Sequence, residues 1–286
     1  MADRTMGWHG HLQLHFRHDV SRARTVSHDR HDGPLRVLAS LYPEGAGVCH
    51  QVLVHPPGGI VGGDRLEITV DVQAAAHALI TTPGATRFYR SAGETAEQTL
   101  AARVAPGGRL EWLPLETIAY DATLAVNRMR FELAPGAEMI GWDVLALGLP
   151  AAGQPFARGR FEQRLELPGV WLERGVLDMQ DPLSQRLLQS PLGWDNKPVL
   201  ATMWFAAGEP IGPARREALL QAARECLAGS ALHEACGVTS PDARVIVLRA
   251  LADRTEPALA LLAGVWAGWR AQAWGLAACT PRVWRT

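Results

Sequence analysis

The chain has 286 residues, of which 48% are hydrophobic and 20% are charged, a composition that excludes a disordered chain. Its 28 basic residues are balanced by 29 acidic ones, for a formal net charge of -1. A general binder of the phosphate backbone needs a clear basic excess, so no nucleic-acid partner is expected.

Targeting and membrane signals are missing from the sequence pattern. The longest apolar run, Ala258 to Trp269, is shorter than the roughly 20 residues that cross a bilayer. The first residues, MADRTMGWHGH, do not have the pattern of a signal peptide. The cysteines form no CxxC pair, which argues against a structural zinc site and a disulfide framework. We therefore expect a cytoplasmic protein with reduced thiols and no membrane partner.

Short alternating runs separated by Gly and Pro extend from about residue 8 to residue 206, and they predict a mainly β protein. More than ten strands follow one another without helical crossovers, which favours antiparallel pairing over a doubly wound α/β fold. After a possible first strand from Trp8 to His18, the predicted strands in chain order are Leu35 to Leu41, Val48 to His55, Arg65 to Val72, Ala76 to Thr82, Gln98 to Val104, Arg109 to Leu113, Ala122 to Leu133, Glu138 to Leu147, Arg160 to Leu167, Val170 to Met179 and Val199 to Phe205.

Helix patterns occur only towards the end of the chain. The segment from Pro213 to Ala228 contains good helix formers and is followed by Gly229 at the stop position. A second helix is predicted from Thr255 to Gly275, with one more strand between the two helices. We predict a single domain over residues 1–286, with a β-rich part over 8–206 and a small two-helix part over 207–286.

The glycine-rich segment HPPGGIVGGDRL occupies residues 55–66. Its spacing matches neither GxGxxG nor a Walker loop, and it leads into a strand rather than a helix, so a phosphate-binding loop is not predicted. The glycines alone indicate a tight connection. A functional hypothesis depends on Asp64, whose carboxylate would lie beside this turn.

Further candidate residues lie in three segments downstream. Arg87 and Tyr89 in TTPGATRFYRS are typical either of a partner-binding surface or of a half-buried strand. Glu116 in LEWLPLETIAYDA, and Glu138 and Asp143 around MIGWDVLALGLP, stand among apolar residues. Because burying an unpaired carboxylate is costly, these acids either face water or pair.

Six of the ten histidines precede residue 32. On a strand from Trp8 to His18, the side chains of His9, His11 and His15 share the polar face. Two hypotheses explain them: a solvated edge strand, or a weak site for a divalent ion such as nickel or zinc, which imidazole ligates.

Catalytic signatures are missing as well: the sequence has no GxSxG elbow, no HExxH and no recognisable cysteine nucleophile. We predict that the chain is not an enzyme and name no catalytic residue. Two alternatives stay open, a β-rich hydrolase whose active site converges in space and a binding module without metal contact.

Resemblance to a known family rests on four segments in this order and spacing: YPEGAGVCHQVLVHPPGGIVGGDRL, TTPGATRFYRS, LEWLPLETIAYDA and GWDVLALG. Together they resemble the urease accessory protein UreD family, called UreH in some organisms, from about Trp8 to Val199 and more loosely to the end. The resemblance implies a layered, elongated β-fold. It also implies a chaperone that, with UreF and UreG, docks on the urease apoprotein and assists GTP-dependent nickel insertion.

The resemblance further implies an internal polar passage for nickel, in which water hydrates the cation and scattered acids hold it weakly. No tightly bound cofactor is implied, only transient nickel. The predicted lining residues are Asp64, Glu116, Glu138 and Asp143, and Arg87 and Tyr89 are predicted to shape the passage or to contact a partner.

Overall fold

The computed structural model describes residues 7–285. In this part of the chain there are three α-helices, α1 (Pro182–Gln189), α2 (Pro213–Ala228) and α3 (Thr255–Trp274). The strands are β1 (His9–Asp19), β2 (Arg24–Asp32), β3 (Arg36–Val37), β4 (Val48–Val54), β5 (Arg65–Val72), β6 (His77–Thr81), β7 (Thr86–Phe88), β8 (Ala96–Val104), β9 (Arg109–Leu113), β10 (Thr117–Ala119), β11 (Thr123–Leu133), β12 (Glu138–Leu149), β13 (Gln154–Pro155), β14 (Gly159–Leu167), β15 (Trp171–Asp178), β16 (Val199–Ala207), β17 (Cys236–Asp242) and β18 (Val245–Ala252).

These strands form two layered sheets. The first sheet has seven strands in the order β15-β14-β11-β8-β5-β1-β2. The second has eleven, with the main order β17-β18-β16-β12-β9-β6-β4-β3 and with β7, β10 and β13 beside that path. One apolar cluster fills the space between the sheets, and a second lies between the second sheet and helices α2 and α3. The prediction of a mainly β, layered fold is confirmed.

Pairing between the central strands is parallel, so the prediction of antiparallel pairing is wrong for them. Strands β1, β5, β8, β11 and β14 run parallel in the first sheet, and β4, β6, β9 and β12 do so in the second. The chain alternates between the sheets, so a strand of the opposite sheet supplies the crossover that a parallel pair requires. Antiparallel pairs occur towards the edges, as in β1 with β2 and β14 with β15.

The helices at the end of the chain cover the second sheet. Helix α2 has the predicted bounds, and α3 ends at Trp274, directly before Gly275, whose φ of 66° is the left-handed conformation that glycine adopts readily. Trp266 and Trp269 of α3 are buried in the cluster between this helix and the second sheet. The short helix α1 was not predicted; Asp181 caps it by accepting a hydrogen bond from the backbone N–H of Leu183. No helix between residues 7 and 285 has the length and apolar character needed to cross a membrane.

Gly141 in β12 illustrates how tightly the space between the sheets is packed. A Cβ atom added there would lie 2.4 Å from Cζ2 of Trp204, a fully buried side chain. We expect Gly141→Ala to lower the free energy of unfolding by about 1–3 kcal/mol, because the indole must shift within a filled core. The matched control is Gly237→Ala in β17, where an added Cβ meets nothing within 4 Å. Urea unfolding curves that give the two variants equal stability would contradict this account of the packing.

Candidate functional site: a polar belt between the sheets

Three amide side chains interrupt the apolar inner face of the first sheet. Asn127 in β11 is in register with Gln98 in β8 on one side and with Gln163 in β14 on the other. Residues directly paired in a sheet share a face, so the three amides form one row across it. Two of the three amides are hydrogen-bonded to each other: Nε2 of Gln98 donates to Oδ1 of Asn127 at 3.3 Å.

The second sheet presents a polar row opposite these amides. Asp143 in β12 is in register with Thr202 in β16, and Thr202 is in register with Arg249 in β18. Asp143 and Thr202 are both buried. Nε2 of Gln163 donates a hydrogen bond to Oδ2 of Asp143 at 2.5 Å, which connects the two rows across the core.

Glu173 in β15, the edge strand of the first sheet, contacts the polar row of the second sheet. Its Oε1 accepts a hydrogen bond from Oγ1 of Thr202 at 3.2 Å, and its Oε2 accepts one from Nε of Arg249 at 2.9 Å. The Arg249 side chain is 50% exposed, so this side reaches solvent. We define the polar belt as Gln98, Asn127, Asp143, Gln163, Glu173, Thr202 and Arg249.

A cavity of about 340 Å³ lies beside the first residue of the belt, Gln98. Its lining includes His55, Thr82 and Arg87 as polar residues, together with the glycine-rich turn at Gly58 and Gly59. Burial lowers the pKa of His55, and the charge of Asp64 opposes this effect. The belt thus begins at a cavity with polar groups and ends at a half-exposed guanidinium.

Asp143 is the buried titratable group of the belt. Burial raises its pKa to about 6; the hydrogen bond from Gln163 lowers it, and the charge of Glu173 raises it. Among residues 7–285, Asp143 forms no ion pair, because Arg249 is bound to Glu173 instead. Near neutral pH the belt therefore holds a negative charge surrounded by amide and hydroxyl groups.

A ready-made metal centre is absent from the part of the chain that the structure describes, since no three His, Cys, Asp or Glu side chains converge there. The residues predicted to line the passage also lie apart. Glu138 and Asp143 are five positions apart on one strand, so they face opposite sides of the second sheet. Glu138 lies under the helices, where it pairs with Arg215 and accepts a hydrogen bond from Nε1 of Trp274 at 2.7 Å.

Asp64 and Glu116 occupy two further places. Asp64 is buried, and its carboxylate accepts hydrogen bonds from the backbone N–H groups of Trp8 at 2.8 Å and Val61 at 3.0 Å, so it holds the turn before β5. Glu116 lines a cavity of about 290 Å³ near Pro150 and the start of α3. Of the four predicted lining residues, only Asp143 is in the polar belt.

Arg87 and Tyr89 lie next to the cavity at Gln98. Arg87 is exposed and lines it. The Tyr89 ring packs against Gly59, where a Cβ would lie 2.1 Å from its Cε2, and the centroid of the Tyr120 ring is 5.0 Å from that of Tyr89. This position suits the predicted role of shaping a passage or contacting a partner, which stays a prediction.

The predicted metal-binding histidines are on the outer face of the first sheet, away from the belt. Nε2 of His9 lies 3.4 Å from Oε1 of Glu67. Nδ1 of His15 lies 3.2 Å from Oδ2 of Asp71. The first strand expected from Trp8 to His18 is present as β1, and its imidazoles are on the polar face as predicted.

Six belt residues were not predicted from the sequence: Gln98, Asn127, Gln163, Glu173, Thr202 and Arg249. A signal for three of them is present in the strand pattern, because each amide occupies an inward position between two buried apolar residues. Gln163, for example, stands between Phe161 and Leu165, both buried. Polar residues at inward positions of successive strands would have predicted the row.

A second buried polar cluster fixes α3 to the second sheet. Glu111 and Arg270 are both 0% exposed, and Nε of Arg270 donates to Oε1 of Glu111 at 3.1 Å. Arg270 also donates to Oε2 of Glu44 at 2.7 Å, while Trp266 donates to Oε2 of Glu111 at 2.5 Å. Burial opposes ionisation of Glu111, but the contact with His77 and the charge of Arg270 hold its pKa below the usual range. This cluster is closed and charge-paired, which is typical of a structural role.

Comparisons with known proteins agree with the resemblance found in the sequence. The family model described as UreD urease accessory protein matches residues 9–285. A protein of Leptothrix cholodnii named urease accessory protein UreD is 60% identical over 281 residues, covering 98% of this chain and 100% of the relative. Proteins with the same name from Methylibium petroleiphilum and Variovorax paradoxus are 57% and 56% identical, also over 98% of this chain and 100% of each relative.

Proposed function

The chain belongs to the UreD family of urease accessory proteins, and from this membership we propose that it acts in urease maturation as a non-catalytic scaffold. It joins UreF-like and UreG-like accessory proteins and docks the assembly on the urease apoprotein. Nickel is then inserted with GTP hydrolysis by the UreG-like partner. The relatives carry the name of an accessory protein rather than an enzyme, which supports this function over the hydrolase alternative.

The polar belt supports a direct part in nickel transfer. The observation that supports this proposal is the buried carboxylate of Asp143, which faces the amide row of the first sheet and accepts a hydrogen bond from Gln163. A partly hydrated nickel ion meets one carboxylate and several neutral oxygens there, so it is attracted without being trapped. Asp143 is the transit ligand in this proposal, and the amides of Gln98, Asn127 and Gln163 replace part of the hydration shell.

A co-expression experiment tests the scaffold role. Urease and its UreF-like and UreG-like accessory proteins are produced in nickel-supplemented cells with or without this chain, and the nickel content of purified urease is measured. We expect metal-loaded urease only when the chain is present, and we expect the chain to co-purify with the UreF-like protein. Equal nickel content in its absence would contradict the proposal. Location in the cytoplasm stays a prediction.

A further inference from the structure

Three arginines lie side by side on the outer face of the first sheet. Arg164 in β14 is in register with Arg128 in β11 on one side and with Arg174 in β15 on the other. Arg164 directly follows Gln163, so the three arginines are on the opposite face from the amides of the polar belt. Neighbouring strands are about 4.8 Å apart, so the row is about 10 Å long. We define the arginine row as Arg128, Arg164 and Arg174.

The carboxylates that pair with this row are less exposed than its guanidinium groups. The Glu162 side chain is 12% exposed, and its Oε1 lies 3.7 Å from Nη2 of both Arg128 and Arg174. The Glu166 side chain is 20% exposed, and its Oε2 accepts a hydrogen bond from Nη2 of Arg164 at 2.9 Å. The side chains of Arg128, Arg164 and Arg174 are 44%, 38% and 57% exposed. A molecule that approaches this face therefore contacts guanidinium groups before it contacts carboxylates.

The guanidinium groups of the row keep N–H donors for a partner. The distance of 3.7 Å from Arg128 and Arg174 to Glu162 is longer than a hydrogen bond, so these contacts leave donors unused. A surface cavity of about 370 Å³ lies beside Arg128 and Arg164 and gives access to them. Guanidinium is weakly hydrated and binds a carboxylate through two parallel hydrogen bonds, so a carboxylate is the group that this row binds best.

We propose that the arginine row binds an acidic helix of a partner protein. On a helix, positions i, i+4 and i+7 share one face and span about 10 Å, so carboxylates there can each contact one guanidinium of the row. A phosphate backbone fits less well, because the chain as a whole has a formal net charge of -1. The proposal goes beyond the role in urease maturation, since it concerns one surface of this chain, and its failure would leave that role untouched.

Fluorescence anisotropy at low salt tests the row with the full-length chain and a labelled helical peptide. The peptide has about 20 residues, enough to form a helix on its own, with Glu at positions i, i+4 and i+7. We expect the variant with Arg128→Gln, Arg164→Gln and Arg174→Gln to bind this peptide about tenfold more weakly, because three charge pairs with it are lost. A second peptide, with Gln in place of every Glu, should bind the parent chain as weakly.

These three substitutions are chosen so that the acids beneath the row keep a cation. Oε2 of Glu162 lies 3.0 Å from Nη2 of Arg160, which is unchanged in the variant. Oε1 of Glu166 lies 3.2 Å from Nη1 of Arg130, which is unchanged as well. The variant should therefore fold, and circular dichroism with a urea unfolding curve verifies this.

The matched control changes the net charge by the same amount, through Arg22→Gln, Arg224→Gln and Arg254→Gln. These three arginines are exposed and lie elsewhere: between β1 and β2, on α2 and directly before α3. Unchanged peptide binding in this control, with loss in the variant of the arginine row, supports the proposal. Equal loss in both variants would show a general effect of charge and would overturn it. So would equal binding of the Glu and Gln peptides, or tighter binding of a DNA duplex than of the Glu peptide.

Discussion

Replacing Arg270 with methionine should lower the free energy of unfolding by roughly 3–5 kcal/mol, because the change leaves the Glu111 carboxylate buried without its cation. Glu111 is 0% exposed, so water cannot replace the lost charge. Arg270 also donates to Glu44 and to the carbonyl oxygen of Ala277, and both acceptors lose a partner. Urea unfolding followed by tryptophan fluorescence measures the difference.

The matched control is Arg224→Met on α2, where the Arg224 and Glu217 side chains of the ion pair are 50% and 64% exposed. This change should cost at most about 1 kcal/mol, because exposed pairs contribute little. Adding Glu111→Gln to the Arg270 variant removes the stranded charge and should recover part of the lost stability. A loss for Arg270→Met no larger than that for Arg224→Met would show that the cluster does not hold α3 on the sheet.

Replacing Asp143 with asparagine should have the opposite effect and stabilise the chain near neutral pH. The pKa of Asp143 is raised from 3.8 to about 6, so the folded chain keeps a proton that the unfolded chain has already released. Stability from this group is therefore present below about pH 4 and is lost as the pH rises to about 6. Above that pH the charged carboxylate costs up to roughly 3 kcal/mol.

Asparagine has no charge and still offers an oxygen to Nε2 of Gln163. We therefore expect Asp143→Asn to be more stable than the parent chain at about pH 7.5, with the difference shrinking towards about pH 4. Urea unfolding at several pH values measures it. A variant that is less stable than the parent at neutral pH would contradict the assignment of Asp143 as an unpaired buried acid.

Strand positions could be predicted from the sequence because most strands bury one face. Leu66, Ile68, Val70 and Val72 are all buried in β5, as their alternation indicated. Strand β2, with the sequence RTVSHDRHD, was not predicted. It lies at the sheet edge, and five of its nine residues are exposed, so it has no alternating apolar pattern. Its position is set by backbone pairing with β1, and an apolar pattern is not needed for that.

The parallel strand pairing and the polar belt could not be predicted from short sequence segments, because both depend on contacts between residues far apart in the chain. Asp143 could be singled out as an acid in an apolar strand, but its partner Gln163 is 20 residues away in the other sheet. A single uncharged amide at an inward position does not predict a polar site unless the neighbouring strands are known. Glu138 was grouped with Asp143 by proximity in sequence, although their odd separation puts them on opposite faces of β12.

Asp143 is therefore the residue at which both a stability effect and a functional effect are expected. Its carboxylate is expected to lower the free energy of unfolding at neutral pH, because burial raises its pKa to about 6, whereas asparagine would accept the hydrogen bond from Gln163 without that cost. An ionisable group that the fold disfavours is expected where a cation must be received. If Asp143→Asn is as stable as expected, a functional defect in this variant is not caused by unfolding.

The most direct measurement is the nickel content of urease matured in cells by the Asp143→Asn chain, with the UreF-like and UreG-like proteins present. The account predicts that the variant co-purifies with its partners as the parent chain does, while the urease contains far less nickel per active site. Urease with the full nickel content would contradict a role for the polar belt in carrying the ion.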